Sequence, residues 1–217
     1  MRIDRERDAL LAVDLQHDFL PGGALGVRGG DAVLAPIAAL MPCFTHVVAT
    51  QDWHPPGHVS FASAHPGRKP YEIAQLPQGP QELWPDHCVA GSPGAALHPA
   101  VPDAALTLVL RKGTRKEVDS YSTFRENVGP DGRRPTTGLG AWLAARGVDR
   151  VFLCGLARDF CVRVSGVDAA AEGFEVVVLD DLTRAVFPER RAEVDAELAR
   201  AGVRLLRSAD LERPAGA

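Results

Sequence analysis

Short apolar runs alternate with amphipathic stretches along most of this chain. Six runs are continuous enough to indicate strands, and they cover residues 9–14, 45–51, 106–111, 151–154, 175–179 and 203–206. Helical patterns stand between them, at about residues 31–41, 136–146 and 159–172, and a last helix starts at Pro188. Continuous apolar runs of this kind are typical of parallel strands that are buried on both faces. The alternation predicts a doubly wound α/β fold, with a mainly parallel sheet and helices on both faces.

One stretch interrupts this pattern. Between residues 63 and 102 a proline occurs every few positions, and no helical or strand periodicity is sustained. A connection of that length without structure is uncommon in a compact domain and is usually functional or disordered. Because the stretch also holds tryptophan, histidine and cysteine, we interpret residues 52–104 as an ordered insertion. We expect a single domain over residues 1–217, with a loose tail at about 212–217.

Composition narrows the class of protein. Hydrophobic residues make up 46% and charged residues 24% of the 217 positions, which is ordinary for a soluble globular protein. The net charge of -4 gives no reason to expect nucleic acid or an anionic membrane as a partner. No run approaches the roughly 18 apolar residues of a membrane span. The first apolar run is too short for a signal peptide, and the four scattered cysteines fit free thiols. We therefore expect a cytoplasmic protein.

A first group of reactive side chains follows the predicted strands. Val151 to Cys154 is a buried strand, and the turn after it leads into a helix with Cys161 in its first turn. A thiol at a helix start lies near unpaired N–H groups and the positive end of the helix dipole, which favour the thiolate. Asp14 could remove the thiol proton, and Lys112 could stabilise negative charge. Taken singly, the three residues also fit a buried apolar cysteine, a capping carboxylate and a surface lysine.

A second group indicates a metal site. Asp52 and His54 stand two apart at a strand end and therefore point to the same side. The insertion can bring His87 back to them, which completes two imidazoles and a carboxylate. That set suits zinc, iron or manganese, and spacing alone does not choose among them. Each histidine alone is more often an ordinary hydrogen-bonding loop residue, and His58 is a reserve ligand.

Five motifs in this chain resemble the nicotinamidases of the isochorismatase-like cysteine hydrolase superfamily. They are VDLQHDF, TQDWHPPGHVSF, WPDHCV, RKG and GLARDFCV, and they occur in the family's order over nearly the whole chain. The resemblance implies a six-stranded parallel sheet. It also implies hydrolysis of nicotinamide to nicotinate and ammonia through a thioester, with pyrazinamide as a second expected substrate.

The resemblance also implies roles for individual residues. By motif, the catalytic residues are Asp14 as base and acid, Lys112 as electrostatic partner and Cys161 as nucleophile. The remaining matches are Asp52, His54 and His87 as ligands of one divalent ion, Phe19, Trp84 and Tyr121 around the pyridine ring, and Ala157 with Cys161 as oxyanion-hole donors. Zinc is the first candidate for the ion, with iron or manganese as alternatives. The family has a cis peptide bond just before the position of Ala157.

Some features depart from the family or leave alternatives open. His17 stands where asparagine is frequent, and Arg158 stands where threonine is common and could alter the substrate range. Residues 113–129 match the family poorly, so the resemblance does not assign the residues that form the outer wall of the pocket. Alternative functions are a related amidohydrolase acting on another small amide or carbamoyl compound, and a domain that only binds a metal or a partner. A small-molecule substrate is the expected partner, and a homo-oligomer is left open.

Overall fold

The computed structural model describes residues 1–214 and contains the predicted parallel sheet. Its six strands are β1 Asp8–Val13, β2 His46–Asp52, β5 Leu108–Lys112, β6 Arg150–Leu156, β7 Glu175–Arg184 and β8 Arg204–Leu206. They are hydrogen-bonded in the order β5-β2-β1-β6-β7-β8, and all five pairings are parallel. Every residue of β1 and β2 is buried, as expected for central strands of an α/β sheet. The fold class predicted from the sequence is confirmed.

The order of the strands places a crevice at the centre of the sheet. From β1 the chain winds outward through β2 to β5, whereas from β6 it winds the opposite way through β7 to β8. The direction of winding therefore reverses between the neighbouring strands β1 and β6. In doubly wound sheets, ligands bind beyond the carboxyl ends of the strands at such a switch point. Asp14 follows β1 there, and Cys161 follows β6.

Four helices surround the sheet in the described range, and all four begin later than the sequence predicted. They are α1 Leu34–Leu40, α2 Leu139–Ala144, α3 Arg163–Ala171 and α4 Arg191–Arg200. A 3₁₀ turn precedes α1, and Gly138, with φ of 87°, precedes α2. Residues 158–162 form a π-helical turn in front of α3. Cys161 thus lies in a wide turn and not in the first turn of a regular α-helix.

The insertion contains structure that its sequence does not predict. A two-stranded antiparallel hairpin joins β3 Ile73–Leu76 and β4 Gly79–Glu82. Its strands are four residues long, and β4 contains glycine and proline, so strand periodicity has no room to develop. Single bridges between Phe61 and Trp84 and between His54 and Val89 fold the insertion back on itself at the end of the sheet.

Two other expectations concern the tail and membranes. Glu212 forms a parallel bridge with Arg2, and its N–H donates to the carbonyl of Met1 at 2.8 Å. The last positions of the expected loose tail, residues 215–217, lie outside the described residues. Within residues 1–214, no helix has both the length and the apolar character needed to span a bilayer.

Gly155 on β6 pairs with Val13 on β1, at the end of the two strands that borders the crevice. Its φ is 104°, and a Cβ at this position would overlap the carbonyl oxygen of Val13. Replacing Gly155 with alanine is expected to lower the free energy of unfolding by about 3 kcal/mol, through steric overlap and an unfavourable φ. Urea denaturation measures this change.

Gly147 provides the matched control for that prediction. Its φ is 73°, but no atom lies within 4 Å of the position that a Cβ would occupy, so alanine adds strain without overlap. Gly147→Ala should therefore cost about 1 kcal/mol. Equal losses of unfolding free energy in the two variants would show that the Val13 carbonyl does not restrict a side chain at position 155.

Candidate active site

Asp14, Lys112 and Cys161 meet at the switch point between β1 and β6. Lys112 Nζ lies 2.8 Å from Asp14 Oδ2 and 3.2 Å from Cys161 Sγ, and it also pairs with Asp52 Oδ1. All four side chains are buried. Apart from the ion pair, Asp14 Oδ2 has no hydrogen-bond partner among the described residues. This oxygen is therefore free to accept a proton, and the three carboxylate and thiol donor atoms lie within 4.8 Å of one another.

Burial controls the protonation of this group. It raises the pKa of the Asp14 carboxyl, and the Asp52 charge adds to the rise while Lys112 opposes it. Burial also raises the pKa of the Cys161 thiol well above its usual range, despite the nearby Lys112 ammonium. Burial therefore opposes the stabilising effect that a helix start has on a thiolate. Cys161 must lose its proton to a neighbouring base before it can attack a substrate.

Thr50 orients Asp14, and the sequence analysis missed it. Thr50 Oγ1 donates to Asp14 Oδ1 at 2.6 Å and accepts the Asp14 N–H at 3.1 Å. These two bonds hold Asp14 at a φ of 50°, a left-handed value that is uncommon outside glycine. The only signal in the sequence is a hydroxyl that follows the apolar residues Val47 to Ala49 in a buried strand. Such residues need a partner when they are buried.

The structure brings Asp52, His54 and His87, the predicted metal ligands, together in one compact set that could hold an ion. Asp52 Oδ2 lies 3.6 Å from His54 Nε2 and 4.0 Å from His87 Nε2. His54 Nδ1 bonds the Gly113 carbonyl at 2.9 Å, and His87 Nδ1 bonds the Pro85 carbonyl at 2.8 Å. Both Nδ1 atoms thus act as donors, which leaves Nε2 as the nitrogen that each ring turns toward Asp52. Carbonyl partners behind the ligating histidines are typical of real metal sites, and the set fits one divalent ion.

The charges of this set also suit a metal. Burial alone raises the pKa of Asp52, but Lys112 and His54 outweigh it, so that pKa lies below its usual range. Burial and the neighbouring His54 lower the pKa of His87 to about 4. At neutral pH, Asp52 is therefore ionised and His87 is neutral, which are the states that bind a cation.

His58, whose role the sequence left open, lies beside this set without joining it. Its ring stacks on His54 with centroids 4.2 Å apart. His58 Nδ1 bonds Ser60 Oγ at 2.7 Å, and Nε2 bonds the carbonyl of Arg115 at 3.0 Å. His54, His58 and Asp119 also bring donor atoms within 4.8 Å of one another. Because both nitrogens of His58 already have partners, we favour the set with Asp52 and His87.

A small pocket opens onto Cys161 and holds the three aromatic residues expected around the substrate. It is lined by Phe19, Leu25, Asp52, Trp84, Tyr121, Ala157, Phe160, Cys161 and Val186. Trp84 stands at 90° to Phe160, with ring centroids 4.8 Å apart. Leu25, Phe160 and Val186 were not predicted, because a single apolar residue does not show in the sequence which cavity it lines. An apolar slot with aromatic walls suits a flat ring.

The expected oxyanion-hole residues border the same pocket. The peptide bond between Leu156 and Ala157 is cis, as the resemblance implies. Ala157 and Cys161 flank the turn that joins β6 to α3, and both line the pocket. Arg158 does not line it: its guanidinium bonds Asp180 at 2.9 Å and Asp195 at 2.5 Å on the far side of the turn. Direct contact of Arg158 with a substrate in this pocket is therefore excluded.

Comparison with known proteins gives matches over almost the whole chain. The model of the isochorismatase domain matches residues 8–210. A nicotinamidase of Acinetobacter baylyi is 46% identical over 82% of this chain and 81% of its own length. A nicotinamidase of Escherichia coli is 44% identical over 96% of this chain and 98% of its own length.

Solved structures agree with these relatives. An Acinetobacter baumanii nicotinamidase and pyrazinamidase superimposes with a TM-score of 0.89 at 39% identity, covering 94% of this chain and 98% of its own. The protein PnC1 of L. infantum in complex with nicotinate has a TM-score of 0.85 at 42% identity, covering 98% of both chains. A pyrazinamidase of Pyrococcus horikoshii in complex with zinc has a TM-score of 0.74 at 32% identity, covering 93% of this chain and 99% of its own.

Proposed function

Because this chain belongs to the isochorismatase family, we propose that it is an amidohydrolase that converts nicotinamide to nicotinate and ammonia, and that it also accepts pyrazinamide. The observation that carries this proposal is the joint presence of two sites at one pocket. The acid, lysine and thiol group reaches the pocket at Cys161, and the carboxylate and imidazole set reaches it at Asp52. The nicotinamidase names of the relatives and the nicotinate bound by PnC1 support the same substrate.

The reaction begins with proton transfer to Asp14. Its free Oδ2 takes the proton from the Cys161 thiol, and the Lys112 ammonium stabilises the thiolate that forms. The sulfur then bonds to the amide carbon, and the carbonyl electrons move onto oxygen. The N–H groups of Ala157 and Cys161 hold this oxyanion. Asp14 returns its proton to the amide nitrogen, the C–N bond breaks, and ammonia leaves a thioester on Cys161.

Hydrolysis of the thioester completes the cycle. Asp14, again ionised, takes a proton from a water molecule, and the water oxygen adds to the thioester carbon. The same two N–H groups hold the second oxyanion, and its collapse breaks the C–S bond. The proton on Asp14 returns to the Cys161 sulfur, and the nicotinic acid that is released loses its own proton to solvent to become nicotinate. Every proton taken up by Asp14 is given back within one turnover.

The residues of this site would hold both the substrate ring and a metal ion. Phe19, Trp84 and Tyr121 hold the pyridine ring, and Asp52, His54 and His87 hold one divalent ion, with zinc as the first candidate. An ion held there supplies Lewis acidity to a ring nitrogen or a water molecule. The zinc in the Pyrococcus horikoshii structure supports the choice of ion.

A cytoplasmic location is part of this proposal. All four cysteines, Cys43, Cys88, Cys154 and Cys161, are free thiols. Free thiols fit a reducing compartment, where glutathione and thioredoxin keep cysteines reduced.

A panel of amides tests the substrate proposal. We expect kcat/KM to be highest for nicotinamide and pyrazinamide, lower by about 100-fold for benzamide, which lacks the ring nitrogen, and lowest for non-aromatic amides. Ammonia release under steady-state conditions measures each value. A higher kcat/KM for a non-aromatic amide or a carbamoyl compound would contradict the proposal and favour the related amidohydrolase.

Removing the Thr50 hydroxyl tests the orientation of Asp14. Thr50→Val keeps the shape of the side chain but removes the hydrogen bond to the carboxylate. We expect kcat to fall by about tenfold with KM little changed, since a bond to a charged group is lost at a group that moves protons. Thr50→Ser, which keeps the hydroxyl, is the control and should retain most of kcat. Equal losses in both variants would contradict a role for the hydroxyl.

A further inference from the structure

A second cavity lies on the other side of the β6–α3 turn, away from Cys161. It has a volume of about 510 Å³, within the range of small-molecule sites. Its lining consists of Arg28, Arg158, Asp180, Asp181, Thr183, Arg184, Ala185, Pro188, Arg191 and Arg207. None of these described lining residues is aromatic, and only alanine and proline are apolar. The cavity is therefore built for a polar ligand.

The lining carries a strong surplus of positive charge. Five arginines face two aspartates, in a chain whose net charge is -4. Arg191 already pairs with Asp180 at 2.8 Å, and the Asp181 carboxylate accepts the N–H and hydroxyl of Ser208 at 2.7 and 2.6 Å. Arg28 and Arg207, by contrast, form no ion pair with any residue in the described range. Their guanidinium charges can therefore pair with an anionic ligand.

Arg158 provides the second observation. Its side chain is 3% exposed, and its Nη atoms bond Thr183 at 3.0 Å and Asp195 at 2.5 Å. Its Nε–H is buried and finds no acceptor within residues 1–214. Buried donors almost always have partners, because an unmade hydrogen bond there costs free energy. Arg158 therefore places a buried guanidinium with one unpartnered donor at the wall of the cavity.

The start of α4 adds to the attraction. Pro188 opens the 3₁₀ turn that leads into this helix, Arg191 is its first residue, and both line the cavity. Helix starts carry a partial positive charge and present free backbone N–H groups, which favours anions. Arginine side chains bind phosphate oxygens in a bidentate manner.

We propose that this cavity binds a compact phosphate-bearing anion, either inorganic diphosphate or a phosphorylated sugar. Phosphate oxygens match the guanidinium groups, and the volume exceeds what one phosphate needs. The lack of an aromatic wall argues against a nucleobase, which proteins commonly hold by stacking. The site is separate from the proposed amidohydrolase reaction, because Arg158 faces this cavity while Ala157, its neighbour, borders the pocket of Cys161.

Isothermal titration calorimetry of the metal-loaded protein at about 0.15 M ionic strength tests this proposal. The probes are sodium diphosphate and ribose 5-phosphate, with adenosine monophosphate as the nucleobase-bearing comparison. We expect one binding site for diphosphate or ribose 5-phosphate, and no gain in affinity from the base. Whichever of the two binds more tightly identifies the source of the phosphate. No heat from either at millimolar concentration would overturn the proposal.

Two variants and one control locate the binding. Arg28→Ala and Arg207→Ala change exposed residues that lack ion pairs, so both proteins should fold, and each should weaken binding by about tenfold. Arg133→Ala removes the same charge from an exposed arginine outside the cavity and should leave the affinity unchanged. Equal affinity in all three variants would overturn the proposal, since it would indicate binding at the metal site or a general charge effect. The readout is binding, so its outcome is independent of the amidase proposal.

Discussion

Replacing Cys161 with alanine is expected to abolish ammonia release from nicotinamide while leaving the metal content unchanged. The thiol supplies the electron pair that forms the thioester, and its sulfur lies 3.2 Å from the Lys112 ammonium that is paired with Asp14. Loss of a catalytic nucleophile typically lowers kcat by about 10⁴-fold or more. Steady-state ammonia release gives kcat, and elemental analysis gives the metal content per chain.

The matched control for this variant is Cys154→Ala. Cys154 is also buried and lies on β6, but its thiol faces the Leu11 carbonyl at 3.6 Å, away from the pocket. Its replacement should leave kcat within about twofold of the parent, since surface and core changes away from the site act mainly on stability. If Cys161→Ala retains activity, the nucleophile is a different group.

Replacing His87 with alanine is expected to remove the metal ion and most of the activity. The set of Asp52, His54 and His87 would lose one of its two imidazoles and would keep one carboxylate and one imidazole nitrogen. Changes to the residues behind metal ligands typically weaken metal affinity by about 10–100-fold, and loss of a ligand itself should weaken it more. We expect the metal affinity of His87→Ala to fall by about 10³-fold. Elemental analysis after dialysis measures retention of the ion.

His65→Ala is the control, because His65 lies in the same insertion and its ring bonds the Val59 carbonyl at 2.7 Å, apart from the candidate metal ligands. It should keep the ion and the activity. A His87→Ala protein with a full complement of metal would contradict the assigned ligand set. In that case the alternative set of His54, His58 and Asp119 would become the candidate.

The sequence predicts the sheet and both reactive groups for one physical reason. Buried parallel strands are continuous apolar runs, and the residues that follow them are brought to one edge of the sheet. Asp14, Asp52 and Lys112 stand directly at such ends, so their proximity follows from topology alone. The motifs then add His87, which only the fold of the insertion brings back to the sheet.

Features that depend on side-chain packing are not visible in the sequence. Thr50 reads as one strand residue among others, and its role depends on the left-handed turn at Asp14. Phe160 and Val186 become pocket walls only because the β6–α3 turn and the end of β7 approach each other. The Cys161 thiol also shows the limit of local patterns: a helix start favours the thiolate, yet burial raises the thiol pKa.

Arg158 gives a further example. Its position next to Ala157 suggests an influence on the substrate, but a side chain points to one side of a turn only, and this one pairs with Asp180 and Asp195. Neighbours in sequence at a tight turn therefore serve different cavities. Only the three-dimensional structure shows which cavity each of these neighbouring residues lines.

Ammonia release from nicotinamide by the purified protein, before and after chelation and after return of metal, tests the central claim most directly. We expect release by the metal-loaded protein, loss of release after chelation, and recovery when zinc, iron or manganese is restored. The metal that restores the highest kcat identifies the preferred ion. No release with any divalent metal restored would contradict the assignment of this chain as a nicotinamidase.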